Sequence, residues 1–530
     1  MLQEKLYDVI VVGAGFAGAI VATKIAQQGV DPSNGERLKI ALIEGGAYFK
    51  GKPNWGYGIP SRRQMFTHIG QDMSQGDRWG RIVDGRRYPG VGGASLHWGG
   101  KGHPPEDKDY EWWVQETGVD WTKENMKGAV QETLRMFHSH TVPDKILNEY
   151  HFRFRDVAHA MGYQTQKMLI HKKNCIMCGT HVESMPACRY DAKVSTLLSH
   201  IPIAEENDVE ILADTNVERV ILEKRGAEWV ATGVWYREKG APAQKAEAKK
   251  IILACGGELL LGHIGTPQLL YDSGYGPRDL LGDKMIVENP NVGSHLEGHP
   301  GSMLQPVSAR FEDLIVHEIG DGNFGFWFLD DKDSKGSERL FILSGADTTD
   351  LALFRGAESY ALSKWAPEFG HKHKDWMRKN WQEWRHIADT PFYLGPLVAY
   401  CHSAAPKARY LPDRTLQFDG EHPIIKKRTK ELRDLLRTLF EKMGAKEIRD
   451  SPGIAFPFIH GVGACRAGAD RKNSVVNPNF ECHEVPNLFI VDSTTHPRVT
   501  SLWSGAMVTA SVATFAAERI LTNHFKRSQI

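Results

Sequence analysis

The alternation of apolar and polar positions divides the chain into recognisable elements from its first residues. Asp8–Val12 is a short, mostly β-branched apolar run, the composition of a strand buried on both faces. Gly13, Gly15 and Gly18 follow at G-x-G-x-x-G spacing, and Ala19–Gln28 then reads as a helix with Ile20, Ile25 and small residues on its packing face. After a polar loop at Asp31–Arg37, Lys39–Glu44 reads as a second buried strand that ends in an acid. Amphipathic spacing predicts helices over Trp121–His138 and Asn148–Met161, with a short one near Val194–His200. Val209–Gly256 changes to strand patterning, with runs at Glu210–Asp214, Val217–Glu223, Trp229–Tyr236 and Lys250–Ala254. Thr266 is expected to cap the next helix, with Pro267 at its first position. Between Gly301 and Ser451 the glycine motifs stop. Strand-like runs at Phe324–Leu329 and Leu340–Leu343, an aromatic and charged stretch at Lys364–His386 and a helix at Thr429–Met443 suggest a second domain.

A strand that turns sharply into a helix aims unpaired N–H groups and a partial positive charge at whatever lies above the turn. Gly13 allows the tight turn, Gly15 a close approach of a pyrophosphate, and Gly18 close packing of helix on strand. Glu44 is then placed to accept hydrogen bonds from a ribose diol. Strand, helix, second strand and terminal acid occur in order, which points to a bound dinucleotide. A second glycine-rich stretch, Tyr88–Gly100, supplies backbone that can approach a flat ring or a phosphate without an intervening side chain. Asn54–Arg81 reads as a loop crossing the ligand.

Composition narrows the partners. The 65 basic and 65 acidic residues cancel and form no long run of either sign, so neither nucleic acid nor an anionic membrane is expected. No apolar run reaches the roughly 18–20 residues needed to cross a bilayer, and Met1–Tyr7 runs into the first strand without a signal-peptide pattern. Three of the seven cysteines crowd into Cys175–Cys188, spaced C-x2-C-x9-C (Cys175, Cys178 and Cys188), which favours a metal or redox site over a disulfide framework. Three thiolates suit an iron–sulfur cluster, or zinc if His171 or His181 joins them.

Five stretches, Gly13–Glu44, Gly90–Gly100, Lys250–Gly274, Asn289–Pro300 and His460–Ile520, taken in order resemble the glucose–methanol–choline (GMC) flavoprotein oxidoreductases. The resemblance implies an α/β fold: a Rossmann-like FAD-binding domain and a substrate domain built on an antiparallel sheet with helices. The expected division is 1–110, 205–300 and 452–530 for FAD, 111–204 as a helical insertion carrying the cysteines, and 301–451 for substrate. FAD would be held by Gly13, Gly15, Gly18, Glu44, Gly92, Gly93, Ser95, His97, Trp98, Val217, Ala254, Gly256 and Asp492. The segment around His97 is similar to the one through which pyranose oxidases attach FAD covalently; a histidine merely stacking near the flavin is the alternative.

His460 leads a segment, His460–Gly468, similar to the family motif whose histidine faces flavin and substrate alcohol, which makes it the expected base. The family's second catalytic position falls on Ser504, beside Trp503, where the family has His or Asn; His496 is a rival. The cysteine stretch resembles that of bacterial FAD glucose dehydrogenases and glucoside 3-dehydrogenases, although it lacks their further cysteine between Cys178 and Cys188. The resemblance thus implies a dehydrogenase oxidising a secondary hydroxyl of a sugar or glucoside, at C3. Electrons would leave through a 3Fe–4S cluster to a cytochrome-type acceptor. It further implies a small partner subunit and periplasmic export with it, a cytoplasmic life being the alternative. A pyranose-type oxidase making peroxide is the rival enzyme, and an electron-transfer or assembly subunit the non-enzymatic one.

Overall fold

The structure is a computed structural model. It describes residues 5–48, 90–96, 98–175, 188, 191–256, 265–299, 302–304, 307–314, 324–331, 338–345, 393–394, 397–402, 407–418, 423–450, 454–456, 459–502 and 505–527. The expected loop Asn54–Arg81, the stretch Lys364–His386, and His97, Cys178, His181, Trp503 and Ser504 lie outside the described residues.

The first sheet is built on β1 (Lys5–Val12), which enters α1 (Phe16–Gln28) through the glycine turn. Val9, Ile10 and Val11 are fully buried, each worth roughly 1.5–3 kcal/mol of apolar burial. β1 pairs in parallel with β2 (Ile40–Ile43) on one side and with a long strand, Gln244–Leu253, on the other. β2 pairs in parallel with β3 (Glu210–Leu212). Beyond the long strand the sheet becomes antiparallel through β4 (Thr215–Arg225) and β5 (Glu228–Glu238), the long strand itself being β6. The short strand Leu488–Ile490 pairs in parallel with β6 and returns the C-terminal part of the chain to this sheet. The final helix, Gly505–His524, packs on α1, so the two ends of the chain share one core.

The second core lies around a six-stranded antiparallel sheet that includes β8 (Phe324–Asp330), β9 (Glu338–Gly345) and β10 (Leu397–His402). The helix Pro423–Lys442 closes it with Leu432, Leu436, Leu439 and Phe440. The stretch 111–204 contributes to both cores. Trp113, Trp121, Met126, Ala129 and Ile201 belong to the first, whereas Tyr150 and Phe154 of the helix Glu149–Ala160 belong to the second.

Two local expectations are corrected. Thr266 does not cap its helix: the helix spans Gly265–Asp272, and the Thr266 hydroxyl instead donates to Asp492 Oδ2 at 2.6 Å. The helix α2 (Asp107–Thr117) was not anticipated, although Glu106 and Asp109 cap it reciprocally at the i, i+3 spacing of a capping box. Polar residues flank its buried Trp112 and Trp113 closely enough to blur the apolar period.

Candidate active site

The nucleotide turn is fixed by contacts that leave no room for side chains. Gly13 sits at φ +99°, and a Cβ there would stand 2.5 Å from the Ala254 carbonyl oxygen. A Cβ on Gly18 would overlap the Gly13 carbonyl oxygen, so helix and strand touch through backbone. Gly15 differs: among the described residues its Cβ would meet only the Gly93 Cα, at 4.0 Å. Gly15 is the N-cap of α1, no side chain caps the helix, and its first turn carries no acid. An anion above Gly15 would therefore complete a helix end that the protein leaves uncapped.

The second glycine stretch docks on this turn, Gly92 donating its N–H to Ala14 O at 2.8 Å. Ser95 anchors it from beneath, its hydroxyl donating to Gly92 O (2.6 Å) and accepting the Thr196 N–H (3.0 Å). Trp98 stacks on His171 at 5.0 Å and donates from Nε1 to Val194 O. Glu44 accepts backbone N–H groups of Ala14 (3.0 Å), Gly46 (2.9 Å) and Gly90 (3.3 Å), which fastens both glycine stretches to the end of β2. Val217 lies half-buried in β4 opposite Tyr236. Asp492 is buried and accepts from Gly256 N–H (2.8 Å), Thr266, and the N–H and hydroxyl of Thr494. Its carboxylate thus ties the end of β6 to the C-terminal turn.

Beyond Asp492 several buried polar atoms have no hydrogen-bond partner among the described residues: Ser493 Oγ, His496 Nε2, Arg498 Nε and Thr509 Oγ1. An orphaned buried donor or acceptor costs about 1–3 kcal/mol, so four along one segment fit a polar group bound there. The uncapped helix end and these orphans together fit a dinucleotide flavin.

His460 is brought to a histidine that sequence reasoning passed over. β7 (Leu296–His299) and a later strand, Ile459–Val462, pair antiparallel, and between Glu297↔Val462 and His299↔Ile459 the later strand carries one extra residue. His460 occupies that bulge at φ +58°, a conformation costing a non-glycine residue of the order of 1–3 kcal/mol and commonest where a side chain must be re-aimed. Its Nδ1 lies 3.1 Å from Nδ1 of His299, with the rings at 89°. His299 is fully buried, and its Nε2 lies 2.9 Å from the Thr500 carbonyl oxygen.

That carbonyl can only accept, so His299 Nε2 carries a proton. Burial lowers the His299 pKa to about 4, which keeps the ring neutral and its Nδ1 an acceptor. His460 must then donate from Nδ1, leaving Nε2 as its basic nitrogen. Burial, with His299 adding to it, holds His460 well below the ordinary histidine value, so the base form prevails at neutral pH. The EGHP spelling around His299 sits at the end of a glycine-rich loop, and that position was its only signal in the sequence.

His496 is buried against Trp113, ring centroids 6.0 Å apart, and no hydrogen bond joins it to His460 or His299 among the described residues. Burial lowers its pKa to about 3. Cys175 and Cys188 are half-buried free thiols, and no group of three potential metal ligands gathers among the described residues. No described helix is long and apolar enough to cross a membrane.

Residues 7–301 match the N-terminal profile described as GMC oxidoreductase, and residues 433–513 match the C-terminal profile of the same description. Among curated proteins the chain is 24% identical over 331 residues to oxygen-dependent choline dehydrogenase of Chromohalobacter salexigens, covering 56% of this chain and 54% of that one. It is likewise 24% identical over 333 residues to the protein of that name from Pectobacterium atrosepticum, with the same coverage. The chain thus spans about half the length of the curated relatives it matches. Among solved structures, pyridoxine 4-oxidase from Mesorbium loti superposes with a TM-score of 0.64 at 17% identity over 96% of this chain and 98% of the other. Formate oxidase does so with a TM-score of 0.64 at 15% identity over 99% of each. With that family's profiles matching more than half its length, the chain belongs to the GMC oxidoreductase family.

Proposed function

We propose that the chain is an FAD-dependent dehydrogenase that oxidises a secondary hydroxyl of a sugar or glucoside to a ketone, with His460 as base. The observation carrying the reading is the hydrogen-bonded chain Thr500–His299–His460, which makes Nε2 the proton acceptor at neutral pH. The FAD pyrophosphate would rest on Gly13, Gly15 and the N-terminus of α1, its ribose near Glu44, and the remainder along Gly92, Gly93 and the turn after Asp492. FAD, when bound, supplies the two-electron acceptor for the hydride that leaves the carbinol carbon. His460 takes the hydroxyl proton at Nε2 as that C–H bond breaks, so oxygen and carbon can form the carbonyl without a free alkoxide. His299 orients the ring and holds the Nδ1 proton in place. Aromatic side chains suit a pyranose face, and the choice of C3 rests on family resemblance.

The cysteine stretch would carry electrons onward if it holds a cluster, but with Cys178 outside the described residues no step is assigned to it. We propose likewise covalent attachment of FAD through His97, a small partner subunit and a cytochrome-type acceptor. Ser504 and His496 are proposed as second groups at the substrate oxygen. A second reading, O2 as electron acceptor with peroxide as product, draws support from the oxygen-dependent relatives. Anaerobic titration of the purified flavoprotein with a panel of sugars, followed by separate addition of O2 and ferricyanide, tests both. Bleaching by a glucoside with reoxidation by ferricyanide and little peroxide supports the dehydrogenase. Rapid peroxide formation moves the assignment to an oxidase, and a flavin that no CH–OH compound bleaches overturns both.

A further inference from the structure

We infer that Asp109, acting through the Thr500–Ser501 peptide, is a positioning residue that sets the tautomer of the His299–His460 pair. The peptide group is a rigid plane whose C=O and N–H point in opposite directions. On one side the Thr500 carbonyl accepts from His299 Nε2 at 2.9 Å. On the other, the Ser501 N–H donates to Asp109 Oδ1 at 2.6 Å. Holding the N–H therefore aims the C=O, and a carboxylate on the N–H polarises the same amide and strengthens its carbonyl as an acceptor.

The grip is unusually complete. The Ser501 hydroxyl donates to the same Asp109 oxygen at 2.8 Å and accepts from Arg339 Nη1 at 3.1 Å. Arg339, on β9 of the second sheet, is itself fixed by a two-pronged pair with Asp331 (2.7 and 2.9 Å) and by Glu106 at 2.9 Å. The second Asp109 oxygen takes the Glu106 N–H at 2.9 Å. Asp109 and Ser501 are both fully buried. Burying a carboxylate is costly, and a helix cap can be made at the surface without that cost. What the buried position adds is a link from α2 and the second sheet to the peptide that orders the two imidazoles.

The kinetic consequence rests on the proposed alcohol oxidation, but the tautomer can be read without substrate. The flavoprotein is labelled with 15N-histidine, the two rings are assigned with His299→Gln and His460→Gln, and native protein is compared with Asp109→Asn and Ser501→Ala. The native spectrum is expected to show His460 protonated at Nδ1 and His299 at Nε2. Asp109→Asn should give a mixture, with turnover per bound flavin lowered on the order of 10- to 100-fold and KM little changed. Ser501→Ala should shift both in the same direction by less, and it carries the test if Asp109→Asn fails to fold. A tautomer shift in a protein that oxidises no alcohol would uphold the positioning role while removing the proposed activity. Native tautomers and native turnover in folded variants would overturn the inference, leaving Asp109 as a helix cap.

Discussion

The glycine cradle and the histidine pair occupy the same molecule and are built in opposite ways. In the cradle one decisive contact, Gly13 against Gly18, lies within a single turn of chain and is carried by the glycine spacing itself, while Gly13 also meets Ala254 at the end of the neighbouring strand. In the pair the contacts join residues 161 and 201 positions apart, through a bulge between two strands of a different sheet. The cradle works by leaving room, whereas the pair works by fixing which nitrogen carries a proton. Short-range exclusion is written in residue spacing; long-range orientation is written only in the folded register.

Gly18→Ala and Gly15→Ala break this comparison hardest. At Gly18 the added methyl would overlap the Gly13 carbonyl, so loss of about 3 kcal/mol or more and failure to retain flavin are expected, read from thermal unfolding and the flavin-to-protein absorbance ratio. At Gly15 the methyl meets the Gly93 Cα only at ordinary van der Waals distance, so stability should stay within about 1 kcal/mol of native while FAD affinity falls. Equal loss of stability in both would contradict the distinct roles drawn for them.

On the histidine side, His460→Ala should lower the rate of anaerobic flavin reduction by about 10²–10⁴ with flavin content unchanged. His299→Gln, which leaves the base but frees its tautomer, should cost less, on the order of tenfold. Stopped-flow absorbance separates the two, and a larger effect at His299 than at His460 would reverse their assigned roles.

Acidification should act on both regions. His299 and His103 are lowered by burial to about 4, and His496 to about 3, against an ordinary value near 6.5. Each of these rings then binds more protons in the unfolded chain than in the folded one below about pH 6.5, while Glu106, which burial raises to about 7, acts in the opposite direction. The rings' share of the stability should therefore fall as pH drops from there through about 4, by up to roughly 1.4 kcal/mol per pH unit for each such histidine. Urea unfolding at a series of pH values, compared between native protein and His103→Gln, isolates one ring's share of the slope, and identical slopes between pH 6.5 and 4 would contradict a buried neutral ring there. The smallest effect concerns strain alone: His460→Gly should be more stable than His460→Ala by about 1 kcal/mol, because only glycine adopts φ +58° freely.

Much of the first sheet was legible because its strands are buried on both faces and its turn needs glycine. β1, α1, β2 and the strands from Glu210 to Leu253 fall where the pattern puts them, with shifted ends. α2 was not, because its cap is made by carboxylates and its indole pair is masked by charge. Thr266 was misread because a residue able to cap a helix has a better partner in Asp492, 226 positions away. His460 could be singled out by the likeness of His460–Gly468 to a family motif, but its partner could not. His299 lies in the Asn289–Pro300 stretch, but nothing there tells that it faces His460; only the bulge brings it to Nδ1 of His460.

The central claim is that Nε2 of His460 receives the proton of an alcohol as its hydride departs. It is tested most directly by following anaerobic flavin bleaching with a glucoside in native protein and in His460→Ala, each fully loaded with FAD. Rapid bleaching in the first and a loss of at least about a hundredfold in the second is the predicted result. Equal rates in the two proteins would contradict it.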